Sequence, residues 1–290
     1  MSAEDIEPPP PAYFVDRELP SYDEVAANRG WNFVIRNAVT GAGFNIFVSK
    51  NSYQTYLEMN KETSEDVVRQ KILQGLGIPM FRVTGSLGAI NMKPLTFKKY
   101  VPDNERPFNV HKDYKTFCVV KKKVHIGYNS YVFRFTPKPE NPKEDFQIVM
   151  FSHSILPISD YIYNGETHRW VHEDYHHVYQ YRHTRLEKNQ PALTDTWDMH
   201  STKLHKIGSP FFQNSKFMNT FKRETHNTRE FYGTGSKSTL NMTSVNTISG
   251  YAELRVKIPT LISNTEDISE VSLDELVKIC VATVLKYDRV

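Results

Sequence analysis

Alternation of apolar and polar residues dominates the chain from Trp31 onward. Segments 31–39 and 44–50 flank a glycine-containing turn at residues 40–43, which predicts a β-hairpin. Further runs rich in Val, Ile, Phe, Tyr and Thr, separated by turn residues, predict more strands. We expect these strands at 53–59, 80–84, 96–101, 116–124, 131–136, 147–151, 161–163, 168–172, 178–183 and 251–258. The pattern therefore predicts a mainly β fold.

Two segments have helical periodicity. The first, 63–76, starts with acids and ends at glycines. The second, 272–290, opens with a capping box formed by Ser272 and Glu275 and then repeats apolar residues at helical spacing. Apolar side chains cover nearly its whole circumference, and Lys278 is the charge within them. Such a helix has to be surrounded by protein, so we expect a β-barrel around it, with Lys278 paired or reaching a barrel end.

The first 28 residues differ in composition from the rest. They are rich in proline and acid and poor in aliphatic residues, which predicts a disordered arm (1–28) ahead of one barrel domain (29–290). Residues 1–24 carry seven acids and one base, a net charge of −6, and the total of +3 leaves +9 for the remainder. A basic body favours anionic partners, although solvated strand faces would carry the same lysines and arginines.

Two motifs in this arm are typical of WW-domain ligands. The stretch PPAY fits the PPxY pattern, and LPSY resembles the LPxY variant. Consecutive prolines hold a polyproline II conformation that docks between aromatic rings of a partner, and two sites on one arm raise the effective concentration. The predicted contact residues are Pro10, Pro11, Tyr13, Leu19, Pro20 and Tyr22. The motifs resemble those of adaptors and substrates of HECT-type ubiquitin ligases; a proline-rich spacer is the alternative.

Two further segments carry a family resemblance. The terminal LDELVKICVATVLKYD and the strand NGETHRWVHED, in which Trp170 follows Gly165, resemble the tubby C-terminal-like fold. That group includes tubby domains, plant LURP-one-related proteins and phospholipid scramblases, and PPPPAY is similar to scramblase tails. The resemblance covers residues 31–290. It implies a twelve-stranded antiparallel barrel wrapped about a hydrophobic C-terminal helix.

The resemblance also implies a binding patch for lipid headgroups, because tubby domains bind phosphoinositides through cationic side chains. The candidates here are Lys121, Lys122 and Lys123. On a strand, Lys121 and Lys123 would point to one face of the sheet and Lys122 to the other. Part of this run is therefore only a solvent-exposed strand edge.

The residue patterns do not favour a catalytic or metal site. Segment 233–238 lacks the Gly-Lys-Ser/Thr order of a phosphate loop, and no paired carboxylates are identifiable. Two cysteines in distant apolar runs predict buried, reduced thiols. Five histidines invite a zinc hypothesis, but their Tyr, Val and Trp neighbours favour strands with half-exposed imidazoles on the barrel exterior. These are His168, His172, His176, His177 and His183. We therefore expect no enzyme, cofactor or metal.

The sequence predicts a cytoplasmic, non-enzymatic interaction protein that is peripheral at membranes if its barrel binds lipid. In this hypothesis the arm makes it an adaptor or substrate of a WW-domain HECT-type ubiquitin ligase, and the barrel binds a lipid headgroup or client protein. The alternative is a tubby-like or scramblase-like protein that binds phosphoinositides or other anionic lipids, with an incidental tail.

Other partners and targeting segments are not expected. No basic stripe interleaves with stacking aromatic residues, so we expect no nucleic acid. The sequence has no run of about 18 apolar residues that would span a membrane. Its acidic N-terminus does not resemble a signal peptide.

Overall fold

The computed structural model describes residues 30–37, 43–62, 64–73, 76–85, 87, 94–101, 109, 112–175, 178–205, 238–245, 251–257 and 268–288. Twelve strands make up most of these residues: β1 (Gly30–Asn37), β2 (Gly43–Phe47), β3 (Phe81–Thr84), β4 (Leu95–Tyr100), β5 (Tyr114–His125), β6 (Tyr128–Phe135), β7 (Phe146–His153), β8 (Ile158–Tyr163), β9 (Glu166–Tyr175), β10 (Val178–Arg185), β11 (Ser238–Val245) and β12 (Tyr251–Lys257). The helices are α1 (Lys50–Met59), α2 (Glu65–Leu73) and α3 (Leu273–Asp288). The prediction of a mainly β chain with a C-terminal helix is confirmed, as are the first hairpin and α2.

Every described strand pairs with two neighbours. Strands consecutive in the chain pair with each other, and β1 pairs with both β2 and β12, which makes the ring of strands a closed barrel. All the ladders are antiparallel. None of the described strands therefore presents an unpaired edge to which a further strand could add.

Helix α3 begins at the predicted capping box. The backbone N–H of Ser272 donates to Glu275 Oε2 at 2.8 Å, and the backbone N–H of Glu275 donates to Ser272 Oγ at 3.3 Å. These two bonds satisfy donors that the first turn of a helix leaves free. No helix in the described ranges combines the length and apolar character needed to cross a bilayer.

The strands surround α3. Phe44 of β2 packs on Tyr287 with ring centroids 5.3 Å apart, and on β10 the Tyr181 hydroxyl donates to the Leu285 carbonyl at 3.4 Å. Eight apolar residues of α3 belong to the main core and are at most 3 % exposed: Leu276, Val277, Ile279, Cys280, Val281, Ala282, Val284 and Leu285. Since these residues point in every direction around the helix axis, the helix occupies the interior of the strand ring.

The two cysteines meet inside this core. Cys118 on β5 and Cys280 on α3 are both free and fully buried, as predicted. Burial, and secondarily a contact with the Cys280 thiol, raise the pKa of Cys118 well above its usual value. The Cys118 thiol is therefore protonated and unreactive in the folded protein.

Helix α1 replaces the strand predicted at 53–59, and that prediction is wrong. Ser49 caps the helix by accepting the backbone N–H of the third residue after it at 2.9 Å. Tyr53 and Tyr56 lie one turn apart, and both pack on Phe47 of β2 with centroids 5.2 Å away. Aromatic residues are common in strands, but here their spacing of three and the serine cap favour a helix lying against the barrel wall.

A second, smaller core lies on the outer face of the barrel, beneath segment 186–205. It consists of Tyr128, Val132, Val149, Phe151, Leu156, Ile158, Val171, Leu193 and Leu204. On the same face Arg169 donates two hydrogen bonds to Asp160, each 2.7 Å long, and both side chains are at most 4 % exposed. Asp160 also accepts the Leu193 backbone N–H at 2.8 Å. This buried ion pair therefore fixes the covering segment to the barrel.

Breaking the buried pair tests its structural role. We expect Asp160→Ala to lower the free energy of unfolding by about 3–5 kcal/mol, because it removes the counter-ion of the buried Arg169. Urea denaturation followed by circular dichroism measures the change.

Two matched variants serve as controls. Glu144→Ala removes an exposed ion pair with Lys138 and should leave stability nearly unchanged. Asp160→Leu combined with Arg169→Met should recover most of the loss, because no charge is then left unpaired. Equal stability of Asp160→Ala and Glu144→Ala would contradict the assignment.

Candidate functional site

The predicted WW-binding residues precede the first described residue, Gly30. Pro10, Pro11, Tyr13, Leu19, Pro20 and Tyr22 therefore lie outside the described residues. The predicted role of the arm stays a prediction.

The lysine run on β5 is divided between two faces, as predicted. Lys122 forms an ion pair with Asp288 at the end of α3, and the Tyr131 hydroxyl donates to the same carboxylate. Lys121 and Lys123 are exposed, and Lys123 donates to Thr202 Oγ1 at 2.8 Å. Of the three candidate lipid-binding lysines, Lys122 is thus engaged with the helix, and the other two face outward.

Exposed apolar residues lie close to these two lysines. Ile126, in the β5–β6 turn, is 94 % exposed, and Val124 just before it is 60 % exposed. The neighbouring β7–β8 turn presents Ile155, which is 57 % exposed. The backbone N–H of Ser154 donates to the Gly127 carbonyl at 3.0 Å and so joins the two turns. We call Val124, Ile126 and Ile155 the apolar tip.

The histidines on β9 and β10 lie inside the barrel, so the prediction of half-exposed imidazoles on its exterior is wrong for His168 and His183. Their side chains are 6 % and 1 % exposed. His168 shares its strand face with Trp170, a core residue, because residues two apart on a strand point the same way. The His168 ring stacks on Tyr161 and on His183, with centroids 5.1 Å away in each case.

Of the remaining histidines, His172 is the one that the structure describes on these strands. His172 is half-buried, with its ring 4.7 Å from that of Tyr181, and His176 and His177 lie outside the described residues. Within the described ranges, no three His, Cys, Asp or Glu side chains are arranged to hold a metal ion.

Burial controls the charge of the two inner histidines. It lowers the pKa of His168 to about 4, and the positive charge of Lys278 adds to the effect. The pKa of His183 is also far below its usual value, because of burial first and then the neighbouring His168 and Lys278. Both imidazoles are therefore neutral at physiological pH.

A pocket opens beside these histidines at the N-terminal end of α3. The β8–β9 turn forms one side of it, where Asn164 and Gly165 adopt positive φ angles of 51° and 75°, as a two-residue hairpin turn requires. Asp274 of α3 accepts the Tyr163 hydroxyl at 2.7 Å and the Asn164 amide at 3.4 Å, which fixes the turn to the helix. The sequence pattern did not predict this pocket, although the Asn-Gly pair was a signal for the turn.

We call this cavity of about 740 Å³ the Lys278 pocket. Its polar and charged lining residues include Glu166, His168, Arg185, Lys188, Asp195 and Lys278. Lys278 is half-buried and has neither an ion pair nor a hydrogen bond with the described residues. The sequence predicts that Lys278 either forms a pair or reaches an end of the barrel. In the structure it reaches an end of the barrel.

The neutral inner histidines predict a pH-dependent stability. Each has a folded-state pKa below its unfolded value of about 6.5, so the unfolded chain binds more protons between the two values. Stability should be complete above pH 6.5 and fall as the pH drops toward 4, by up to about 3 kcal/mol from His168 alone.

Chemical denaturation at several pH values measures this slope. His168→Gln should make it shallower, because glutamine does not titrate and His183 alone then contributes, whereas His200→Gln at an exposed position should leave it unchanged. An equally steep slope in His168→Gln would rule out His168 as its source.

Comparison with known proteins identifies a family. No curated protein and no solved structure gives a significant match to the chain. A sequence model of the DIA1 family matches residues 28–289, which is nine tenths of the 290 residues and includes every described strand and helix. The chain belongs to the DIA1 family.

Proposed function

We propose that this protein is a non-enzymatic interaction protein whose N-terminal arm recruits a WW-domain protein of the HECT-type ubiquitin ligase class. One observation carries the proposal: a PPxY and an LPxY motif, with tyrosines nine residues apart, precede the first strand. Both motifs also lie ahead of the family match, which starts at residue 28. The arm is therefore separate from the part of the chain that builds the barrel.

The described part of the barrel is complete without the arm, which supports the proposal. Strand β1 already pairs on both sides, so the arm is not needed to complete the sheet. Helix α3 already fills the barrel interior. Tyr22 is eight residues before Gly30, and eight extended residues span up to about 26–29 Å, enough to carry the motifs away from the barrel surface.

We further propose that the barrel is related to the tubby C-terminal-like group. Twelve antiparallel strands in hairpin order around a buried, apolar C-terminal helix support this relation. In this proposal the barrel is the part that selects a lipid or a client protein, and the arm connects it to the ligase.

Removal of both tyrosine rings tests the recruiting role. We expect Tyr13→Ala with Tyr22→Ala to abolish co-purification with WW domains, because each ring fills a pocket of the partner. The melting temperature should not change, since both residues precede the first described strand and the family match. Pull-down of the full chain by a tandem WW protein measures the effect.

The single variants and a neighbouring substitution provide the controls. Tyr13→Ala or Tyr22→Ala alone should retain partial binding, because each leaves one motif. Ile6→Ala lies in the same arm outside both motifs and should bind like the unmodified protein. Undiminished capture of the double variant would exclude the adaptor function.

A second candidate function is binding to anionic membrane surfaces. The observation that favours it is the apolar tip beside the exposed Lys121 and Lys123. Apolar side chains gain free energy on entering the lipid interface, and neighbouring cations are attracted to negatively charged headgroups. Lys122 is not available for this contact, because Asp288 already pairs with it.

Charge reversal tests the membrane candidate. Each lysine near an anionic surface contributes about 1 kcal/mol, so Lys121→Glu with Lys123→Glu should weaken binding to phosphatidylserine liposomes by at least about 30-fold. Sedimentation at low and high salt measures the loss. Lys115→Glu, an exposed position on the same strand, is the matched control. Salt-independent binding, or equal losses in both variants, would argue against this function.

A further inference from the structure

We propose that the Lys278 pocket binds a small organic anion, whose carboxylate or phosphate group pairs with the Lys278 ammonium. This site is independent of both the arm and the lysines of β5. Four features of the pocket carry the proposal: the placement of Lys278, its lack of an ion pair with the surrounding acids, an unpartnered ring nitrogen of His168, and the size of the cavity.

Lys278 interrupts the apolar middle of α3. Its neighbours Val277 and Ile279 are fully buried, and the helix around them is apolar. A methionine would supply the same apolar stem without an ammonium. Packing alone therefore does not explain a lysine at this position.

Two of the acids that line the pocket have partners of their own. Glu166 accepts a hydrogen bond from Arg185 at 2.8 Å, and Asp195 accepts the Ala192 backbone N–H at 2.8 Å. Glu187 is exposed at the outer side of the pocket. Among the described residues, the Lys278 ammonium forms no ion pair with any of these carboxylates, so it can pair with a ligand.

His168 offers a second polar group to a ligand. Its Nδ1 atom is buried and has no hydrogen-bond partner among the described residues, although the ring lines the pocket. Protonation of the ring would make Nδ1 a donor to an anion held by Lys278. A buried polar atom without a partner is costly, and the proposed anion would satisfy it.

The dimensions of the cavity indicate the size of the ligand. About 740 Å³ lies within the range of about 300–1,000 Å³ typical of small-molecule sites. Lys278 precedes Asp288 by ten residues, which places the pocket about 15 Å along the helix from the ion pair with Lys122. The pocket and the β5 lysines are thus separate sites.

Titration of the full chain tests the proposal. Inorganic phosphate and citrate are the dissolved probes, and vesicles containing a phosphoinositide test whether the anionic group belongs to a lipid. We expect saturable binding of at least one dissolved anion by calorimetry. Binding should raise the pKa of His168 measured by NMR, because a nearby negative charge favours the imidazolium.

The decisive variant is Lys278→Met. It should weaken anion binding by about tenfold or more, since it removes the charge-assisted contact. Its melting temperature should equal or exceed that of the unmodified protein. Lys71→Met, at a half-buried lysine of α2, is the matched control and should bind anions normally.

Each outcome decides the proposal. Binding to vesicles alone that depends on Lys278 would assign the anion to a lipid headgroup and support the site. Absence of any Lys278-dependent binding, or a lowered melting temperature in Lys278→Met, would overturn it. WW-domain capture and the charge-reversal experiment on β5 do not involve this pocket, so the failure of one proposal is distinguishable from the failure of the others.

Discussion

The need to keep α3 away from water shapes the rest of this structure. The helix is apolar on all sides, so one sheet packed against one face would leave the opposite face exposed. A ring of antiparallel strands meets the requirement, because every strand can direct alternate side chains at the same axis. The closure of β1 onto β12 and the burial of both cysteines follow from this arrangement. The hydrophobic effect, acting on one helix, thus accounts for the architecture of most of the chain.

Charge is arranged around that apolar axis in a consistent way. At the first turn Asp274 meets Tyr163, and at the last turn Asp288 meets Lys122 and Tyr131. Polar contacts therefore fasten both helix ends to the wall, while the middle of the helix packs against it. Lys278 departs from this arrangement, which is why we assign it to a ligand and not to the fold.

The sequence predicted the features that depend on local pattern. Helix α3 was predictable because its apolar residues repeat at helical spacing directly after a capping box. The first hairpin was predictable because two segments of alternating apolar and polar residues flank a turn. Helix α1 was missed because its tyrosines suit a strand as well, and only packing on Phe47 decides. The inward histidines and the Asp160–Arg169 pair were also missed. Strand register decides which side chains face the barrel interior and which lie under the covering segment, and the residue pattern does not reveal that register. The Lys278 pocket forms where segments distant in the chain meet, so the sequence could not predict it either.

The pairing of β1 with β12 has a consequence for how the protein is made. Some two hundred residues separate these partners in the chain, and α3 follows the last strand. During synthesis on the ribosome, the hairpins from β2 to β10 can form as they emerge, but their inner faces have nothing to pack against until α3 has been translated. The aromatic lining therefore lacks its main packing partner throughout elongation, and exposed apolar surface of this kind favours aggregation.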